Sequence, residues 1–212
     1  MRITFLTDLL FMSGAAHAVT TIDFEEYTGE LFVPENPFIT QGYSLAQGPP
    51  PASYPDGYPM AIGTPLYGVP SQPEGGNNVL SYCASNFCYT TGDEPPVFTL
   101  SQLGGGLFDL YSIDFAANGD STNITLQVTG YLAGGETVNS AITSGLDWAT
   151  LMFSSEWTGL EKVEFLTELG VGTDTAAFDN ISVSAAVPVP AAVWLFGSAL
   201  AGLGWVRRRQ SV

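Results

Sequence analysis

The chain is short of positive charge. Lysine and arginine together number 5 against 21 aspartates and glutamates, and the formal net charge is −16 over 212 residues. Four of the five cations stand near the ends, as Arg2, Arg207, Arg208 and Arg209, and Lys162 alone lies between them. There is one histidine, His17, and there are 2 cysteines. Each scarcity excludes a class of chemistry. An acidic body with one lysine repels nucleic acid and anionic lipid and cannot build a phosphate-binding face. Past residue 17 there is no histidine for Ser-His-Asp or Cys-His catalysis or for a histidine-ligated zinc. Between residues 3 and 206 there is no arginine to clamp a transferring phosphate. No Gly-rich phosphate fingerprint opens a helix, no repeat of ~20–50 residues is visible, and no segment of the body holds a helical period. What remains suits divalent cations, polycations or neutral glycans, or serves solubility alone.

The two ends differ from the body. Met1 to Ala18 reads as a secretory signal peptide, with Ala16-His17-Ala18 as an A-x-A cleavage site and cutting expected before Val19. Only Arg2 charges its front and Asp8 interrupts its apolar stretch, so the true start codon stays open. At the other end, Ala191 to Val206 holds 16 uncharged residues, followed by Arg207-Arg208-Arg209. A helix rising ~1.5 Å per residue covers roughly 24 Å with such a run, nearly the ~30 Å of a bilayer core. Three arginines behind it fit a cytoplasmic flank. Without both ends, residues 19–186 form one domain, in which 20 acidic side chains face Lys162 alone, a formal charge of −19.

Cys83 and Cys88, in Cys-Ala-Ser-Asn-Phe-Cys, fall in this domain. A signal peptide implies an oxidising compartment, so the pair is expected to close a small disulfide loop. A metal site lacks further cysteine or histidine ligands, and the spacing is wider than a CxxC redox pair.

Along the body the pattern is of short strands. Residues 20–25 alternate, with Ile22 and Phe24 opposite Asp23 and Glu25. Residues 38–46 suggest one strand. The stretch 47–78, rich in Pro, Gly and Tyr, is expected to be a long irregular loop. Strands are expected at 79–83, 97–100, 107–116, 123–132, 136–143, 149–154, 160–166 and 178–185. In the 107–116 strand the apolar phase shifts from Phe108 and Leu110 to Ile113 and Phe115, which predicts a β-bulge near Tyr111-Ser112. Asn118-Gly119-Asp120 and Gly134-Gly135 read as turns. Many short strands with Gly-rich turns indicate an all-β, antiparallel sandwich.

The last 26 residues resemble the tripartite PEP-CTERM sorting signal of Gram-negative surface proteins. The resemblance rests on Val187-Pro188-Val189-Pro190, on AAVWLFGSALAGL behind it, and on Arg207, Arg208 and Arg209. It is nearest the variant class beginning VPLPA or VPVPA, with Val189 where the commoner motif has Glu. It implies export, a membrane helix at 191–206, and an exosortase-type enzyme as partner. Residues 98–183 are similar to a domain of exported proteins of this kind, on FTLSQLGGGLFDLYSIDF, ITLQVTGYLAGGETV and AFDNISV. That likeness implies a jelly-roll sandwich similar to carbohydrate-binding modules and names no ligand.

Jelly-roll modules of this type often hold a structural Ca²⁺ between first and last strands, which here points to Asp23, Glu25 and Glu26 with Asp179 and Asn180. Calcium takes six to eight oxygen ligands. The strand phase set by Ile181 and Val183 turns Asp179 inward, where a carboxylate needs a partner and cations are scarce. The alternative is that Asp179 caps backbone amides in a turn. Asn118 and Asp120 offer a second acidic spot that reads first as a turn. Sugar stacking would use Tyr54, Tyr58 and Tyr67 in the long loop, with Tyr43 beside it, Trp148 and Trp157 flanking one strand, and Tyr131 facing outward; the alternative is that these rings pack the core. The triplets beginning at Asn123 and Asn180 match a glycosylation sequence by chance in a bacterial chain. The expectation is an exported, non-catalytic surface or exopolysaccharide-matrix protein without nucleic-acid partners. A calcium-stabilised carbohydrate-binding module or adhesin is the second reading, and a carboxylate-pair glycosidase the third.

Overall fold

The computed structural model describes residues 18–25, 27, 37–48, 60–63, 78–83, 97–118, 124–145, 147–167 and 175–185. All of them belong to one compact unit, Ala18–Ala186. Among them there are twelve strands and no helix. They are β1 (Val19–Ile22), β2 (Phe38–Thr40), β3 (Tyr43–Gln47), β4 (Met60–Gly63), β5 (Val79–Cys83), β6 (Val97–Gln102), β7 (Phe108–Asn118), β8 (Ile124–Leu132), β9 (Thr137–Ser144), β10 (Ala149–Met152), β11 (Leu160–Thr167) and β12 (Thr175–Ala185).

Every described pairing is antiparallel. One layer runs β2-β3-β6-β11-β8-β9, and the other runs β4-β5-β12-β7-β10. β1 lies on the same side of β12 as β5 but further along it: β5 covers Thr175 to Phe178 and β1 covers Ile181 to Ser184. The single pair Leu160–Phe108 joins the layers at a corner. The protein is thus the antiparallel β-sandwich that its alternating strands require, because each strand has one apolar face that must be covered.

The core lies between the layers. Phe178 on β12 meets Phe115 of its own layer at 6.2 Å between centroids, and Phe98 and Phe165 of the facing layer at 5.4 and 5.5 Å. All four rings are fully buried. Burying one such side chain contributes roughly 1.5–3 kcal/mol. Where β8 crosses the packed corner, Gly130 leaves no room for a side chain: an added Cβ would stand 2.8 Å from Leu160 and 2.9 Å from both Trp157 and Val138.

Three local features depart from the sequence expectation. The strand expected at 38–46 is a hairpin, because Gln41 (φ 49°) and Gly42 (φ 86°) form a two-residue turn with both φ positive. β1 ends at Ile22, where Phe24 takes φ 57° and its ring still reaches the core. The expected irregular stretch 47–78 contains β4, paired with β5. The bulge expected near Tyr111 is present, with a partner on β12. Register pairs run Asp114–Asp179, Ser112–Ser182 and Leu110–Val183, so β12 carries one extra residue at Asn180 (φ 47°) and β7 carries one at Tyr111. The two insertions cancel, and both strands resume their phase.

Candidate functional site

Asp179 precedes the β12 bulge. The bulge changes which way it points. Phe178 and Ile181 both face the core, so the two residues between them absorb the phase change. Asp179 then lies on the same side as Asp114, which alternates with the core residues Ile113 and Phe115. The inward direction expected from the Ile181–Val183 phase is therefore corrected: Asp179 points away from the main core. It is nevertheless only 1% exposed. Beside it the ladder along β12 has a gap, after Leu80 of β5 and before Ile22 of β1. Asp23 and Glu25, just after β1, stand near enough for their charges to act on Asp179. Asn78 ties Glu25 and Tyr27 to the start of β5: its backbone N–H donates to Glu25 Oε1 (3.1 Å), and its Nδ2 donates to the carbonyls of Glu25 (3.2 Å) and Tyr27 (2.5 Å).

Of the residues expected from sequence, Asp179 and Asn180 stand side by side, and Asp23 and Glu25 are near enough for their charges to act on Asp179. Glu26 lies outside the described residues. Sequence reasoning missed Asp114 and Asn78. Asp114 was hidden because only the pairing of β7 with β12 sets it opposite Asp179, and the phase slip from Phe178 to Ile181 gains its meaning from the same pairing. Burial pushes the Asp179 carboxyl up to about 7, against the N–H of Asn180, which pulls it down, and the charges of Glu25, Asp114 and Asp23 push it further up. The turn-capping alternative is present in fact: Asp179 Oδ1 accepts the N–H of Asn180 at 2.7 Å. Asn180 Nδ2 donates to Asp114 Oδ2 (2.9 Å), and Thr150 donates to Asp114 Oδ1 (2.6 Å). The donor set is all oxygen and strongly anionic, which is the chemistry of a calcium ligand set. As the side chains lie, no three Asp, Glu, His or Cys among the described residues converge closely enough to hold a metal ion.

A second cluster stands on the outer face of the other layer. On β11, Val163 and Phe165 are buried, so Lys162 and Glu164 face out. Register places Lys162 between Ser101 and Tyr131, and Glu164 between Thr99 and Thr129. Lys162 Nζ lies 2.5 Å from Glu164 Oε1 and 4.1 Å from the centre of the Tyr131 ring, and the Tyr131 hydroxyl donates to Glu164 Oε2 at 2.6 Å. Burial alone would raise the Glu164 carboxyl, but the hydrogen bonds from Lys162 and Tyr131 outweigh it and hold it below the usual carboxylate range. The bond to Glu164 also raises Lys162 and Tyr131. Around this triad, Thr129 donates to Asn139 (2.9 Å) and the hydroxyls of Thr125 and Thr143 meet at 2.8 Å. The face is therefore a lattice of hydroxyls, amides and one ion pair, able to exchange hydrogen bonds with a polyhydroxylated ligand.

The aromatic candidates divide. Trp157 is 3% exposed and its ring lies 4.4 Å from that of Phe153 at a tilt of 49°, so it is a core residue and presents no face to a sugar. Its backbone carbonyl accepts the N–H of Leu110, which draws the ring under the corner. Trp148 is half-buried against Val79, Ala116 and Ala177. Tyr43 is buried, with its ring edge-on to Phe108 at 5.6 Å; burial, then Asp109 and Tyr111, push its hydroxyl up to about 12. Tyr131 does face outward, with Lys162 over one side of the ring. Tyr54, Tyr58, Tyr67, Cys88 and Asp120 lie outside the described residues, as do the sorting-motif residues Val187, Pro188, Val189 and Pro190, while Cys83 is placed only as the backbone end of β5. Among the described residues no helix is long and apolar enough to cross a membrane.

Fold and surface together define an acidic, all-β domain with polar sheet faces. The family model of the PEP-CTERM protein-sorting motif matches residues 186–209, directly behind that domain. The motif marks the chain as an exported bacterial protein that is processed at a membrane. No curated protein matches the sequence. Among solved structures, a variant of a family 29 carbohydrate-binding module in complex with mannohexaose is similar at 10% identity and TM-score 0.45, over 81% of this chain and 93% of that one. A family 29 module from Piromyces equi is similar at 10% identity and TM-score 0.46, over 81% and 92%. Those likenesses assign no ligand.

Proposed function

We propose that this is a non-catalytic protein of the bacterial surface or exopolysaccharide matrix, sorted by an exosortase-type enzyme and acting by binding or structure. The match of the sorting motif at residues 186–209 carries this reading. The domain in front of it supports a binding role: the outer face around Lys162, Tyr131 and Glu164 offers paired donors and acceptors. Neutral glycan hydroxyls suit such a face, and an acidic surface does not repel them. The test is binding of the exported chain to a panel of bacterial exopolysaccharides. Saturable binding weakened by Glu164→Gln supports the face as the site. Release of reducing sugar, abolished by one Asp or Glu substitution, would instead make the protein a glycosidase. Neither binding nor cleavage would leave a structural matrix role.

A calcium ion is the second part of the proposal, and the buried Asp179 favours it. Asp179, Asp114, Asp23 and Glu25 would supply carboxylate oxygens, and the ion would neutralise their mutual repulsion. Its role would be to hold the chain after β1 against β12. Glu25 and Asp23 would have to turn toward Asp179, because Glu25 Oε1 is engaged by Asn78 and Asp23 Oδ1 by the N–H of Glu25 at 3.3 Å.

A further inference from the structure

A sheet can be extended where a strand has a partner on one side only. Among the described residues these strands are β1, β2, β4, β9 and β10. Four of them are three or four residues long, and a short edge offers few unpaired backbone groups. β9 differs: it runs for eight residues, Thr137–Ser144, and pairs with β8 alone. The N–H of Leu132 donates to the carbonyl of Glu136 at 2.9 Å, which fixes the alternation of the β8–β9 ladder. Val138, Ser140 and Ile142 therefore direct their backbone groups to β8. Thr137, Asn139, Ala141 and Thr143 direct theirs away from it, to the open edge.

In its own sequence β9 carries none of the residues that blunt such an edge: it holds no charge, no proline and no glycine. In a chain of formal charge −16, an uncharged seam is where two copies approach with least repulsion. The inward side chains mark the same open side. Leu126 and Val128 of β8 and Val163 and Phe165 of β11 are at most 1% exposed, whereas Val138 and Ile142 of β9 pack on the core and stay partly uncovered. A further strand beyond β9 would cover them. The strand is also close to a palindrome about Ser140: Thr137 mirrors Thr143, and Val138 mirrors Ile142. A second β9 laid antiparallel about Ser140 sets those residues opposite one another, Asn139 opposite Ala141, and Ser140 opposite itself. The residues whose backbone groups face the edge then bond in pairs, Thr137 with Thr143 and Asn139 with Ala141. Inward residues meet inward ones, so the apolar side of both strands stays on the core side. A two-fold axis requires this self-complementarity, so the pattern selects a second copy of the chain over an unrelated strand.

We propose that two copies of this chain associate through β9, antiparallel about Ser140, so that the layer β2-β3-β6-β11-β8-β9 continues from one copy into the other. An axis through Ser140 and normal to the sheet puts the two outer faces around Glu164 on one side. Under the glycan reading of that face, the dimer offers two faces to one polymer and gains by avidity. The dimer itself does not depend on that reading. The test is sedimentation of the full chain in detergent micelles, for the parent and for Ala141→Pro. Proline at 141 removes an N–H that points to the open edge and leaves the β8–β9 ladder whole. The expected result is a parent dimer that tightens as salt rises, because salt screens the two acidic bodies. Ala141→Pro should be monomeric with an unchanged thermal melt. A monomeric parent, or a dimer that a folded Ala141→Pro leaves intact, overturns the proposal; the second outcome moves the association to another surface. Should the proline variant not fold, Ser140→Cys decides. Facing residues without backbone bonds between them have Cβ atoms about 4.5 Å apart, within reach of a disulfide. Oxidation with copper phenanthroline should therefore link two chains of Ser140→Cys beyond whatever the parent gives through Cys83 and Cys88. No such excess overturns the pairing about Ser140.

Discussion

Asp179 on β12 lies directly opposite Asp114 on β7, so two carboxylates occupy one cross-strand pair. Like charges in that relationship oppose strand pairing. The sheet accommodates them through Asn180, whose N–H binds Asp179 and whose Nδ2 binds Asp114. The residue inserted as a bulge is therefore also the one that separates the charges.

That pair makes stability depend on pH. Asp179 sits at about 7 in the folded protein, against ~3.9 in the unfolded chain. Between those values the folded state holds the extra proton, so its contribution to stability is full below about 4 and is lost as pH rises through 7. In EDTA, Asp179→Asn should be no better than the parent at pH 4 and more stable than it at pH 8, by at most ~4 kcal/mol. Thermal melts of both proteins across that range measure the difference; a constant gap would show that Asp179 is already ionised in the fold.

Calcium should act on the same residues. Millimolar Ca²⁺ is expected to raise the Tm of the parent at pH 8 by several degrees, since a ligand that binds only the folded state stabilises it by mass action. Asp179→Asn should remove most of the rise, and Glu164→Gln should leave it intact. An unchanged Tm of the parent would eliminate the ion.

On the opposite face, Lys162→Met should cost little stability, about 0–1 kcal/mol, because its ion pair with Glu164 is partly open to water. It should nevertheless move the Glu164 carboxyl upward, since one of the two hydrogen bonds that lower it is gone. Carboxyl chemical shifts followed through an acid titration report that movement. No change would mean that Tyr131 alone sets the group.

Gly130→Ala should destabilise the domain by about 1–3 kcal/mol, because the new Cβ meets Leu160, Trp157 and Val138 inside contact distance. Urea unfolding of parent and variant gives the difference directly. A neutral result would show that the corner has slack.

The alternation of Ile124, Leu126 and Val128, and of Val163 and Phe165, made β8 and β11 legible with their buried faces, because a period of two survives in sequence whenever one face of a strand is covered. The phase slip between Leu110 and Ile113 exposed the bulge at Tyr111 for the same reason. The matching slip from Phe178 to Ile181 is equally visible, yet it has meaning only once β7 and β12 are known to be neighbours. The direction of Asp179 was misread on that account. Trp157 was misread because its burial depends on the corner made by β7, β8 and β11, three strands far apart in sequence.

The sequence by itself determined the class of the protein: an acidic, cation-poor β domain between two ends of different composition, with a motif that addresses it. Composition and local spacing suffice for these, since they need no knowledge of which strands touch. The tertiary structure decided which acids stand opposite one another, which aromatics are core, and that Val19 lies against Ser184. Those relationships come from register between strands as distant as β1 and β12, and register is set by packing of the two layers, which no single stretch of chain contains.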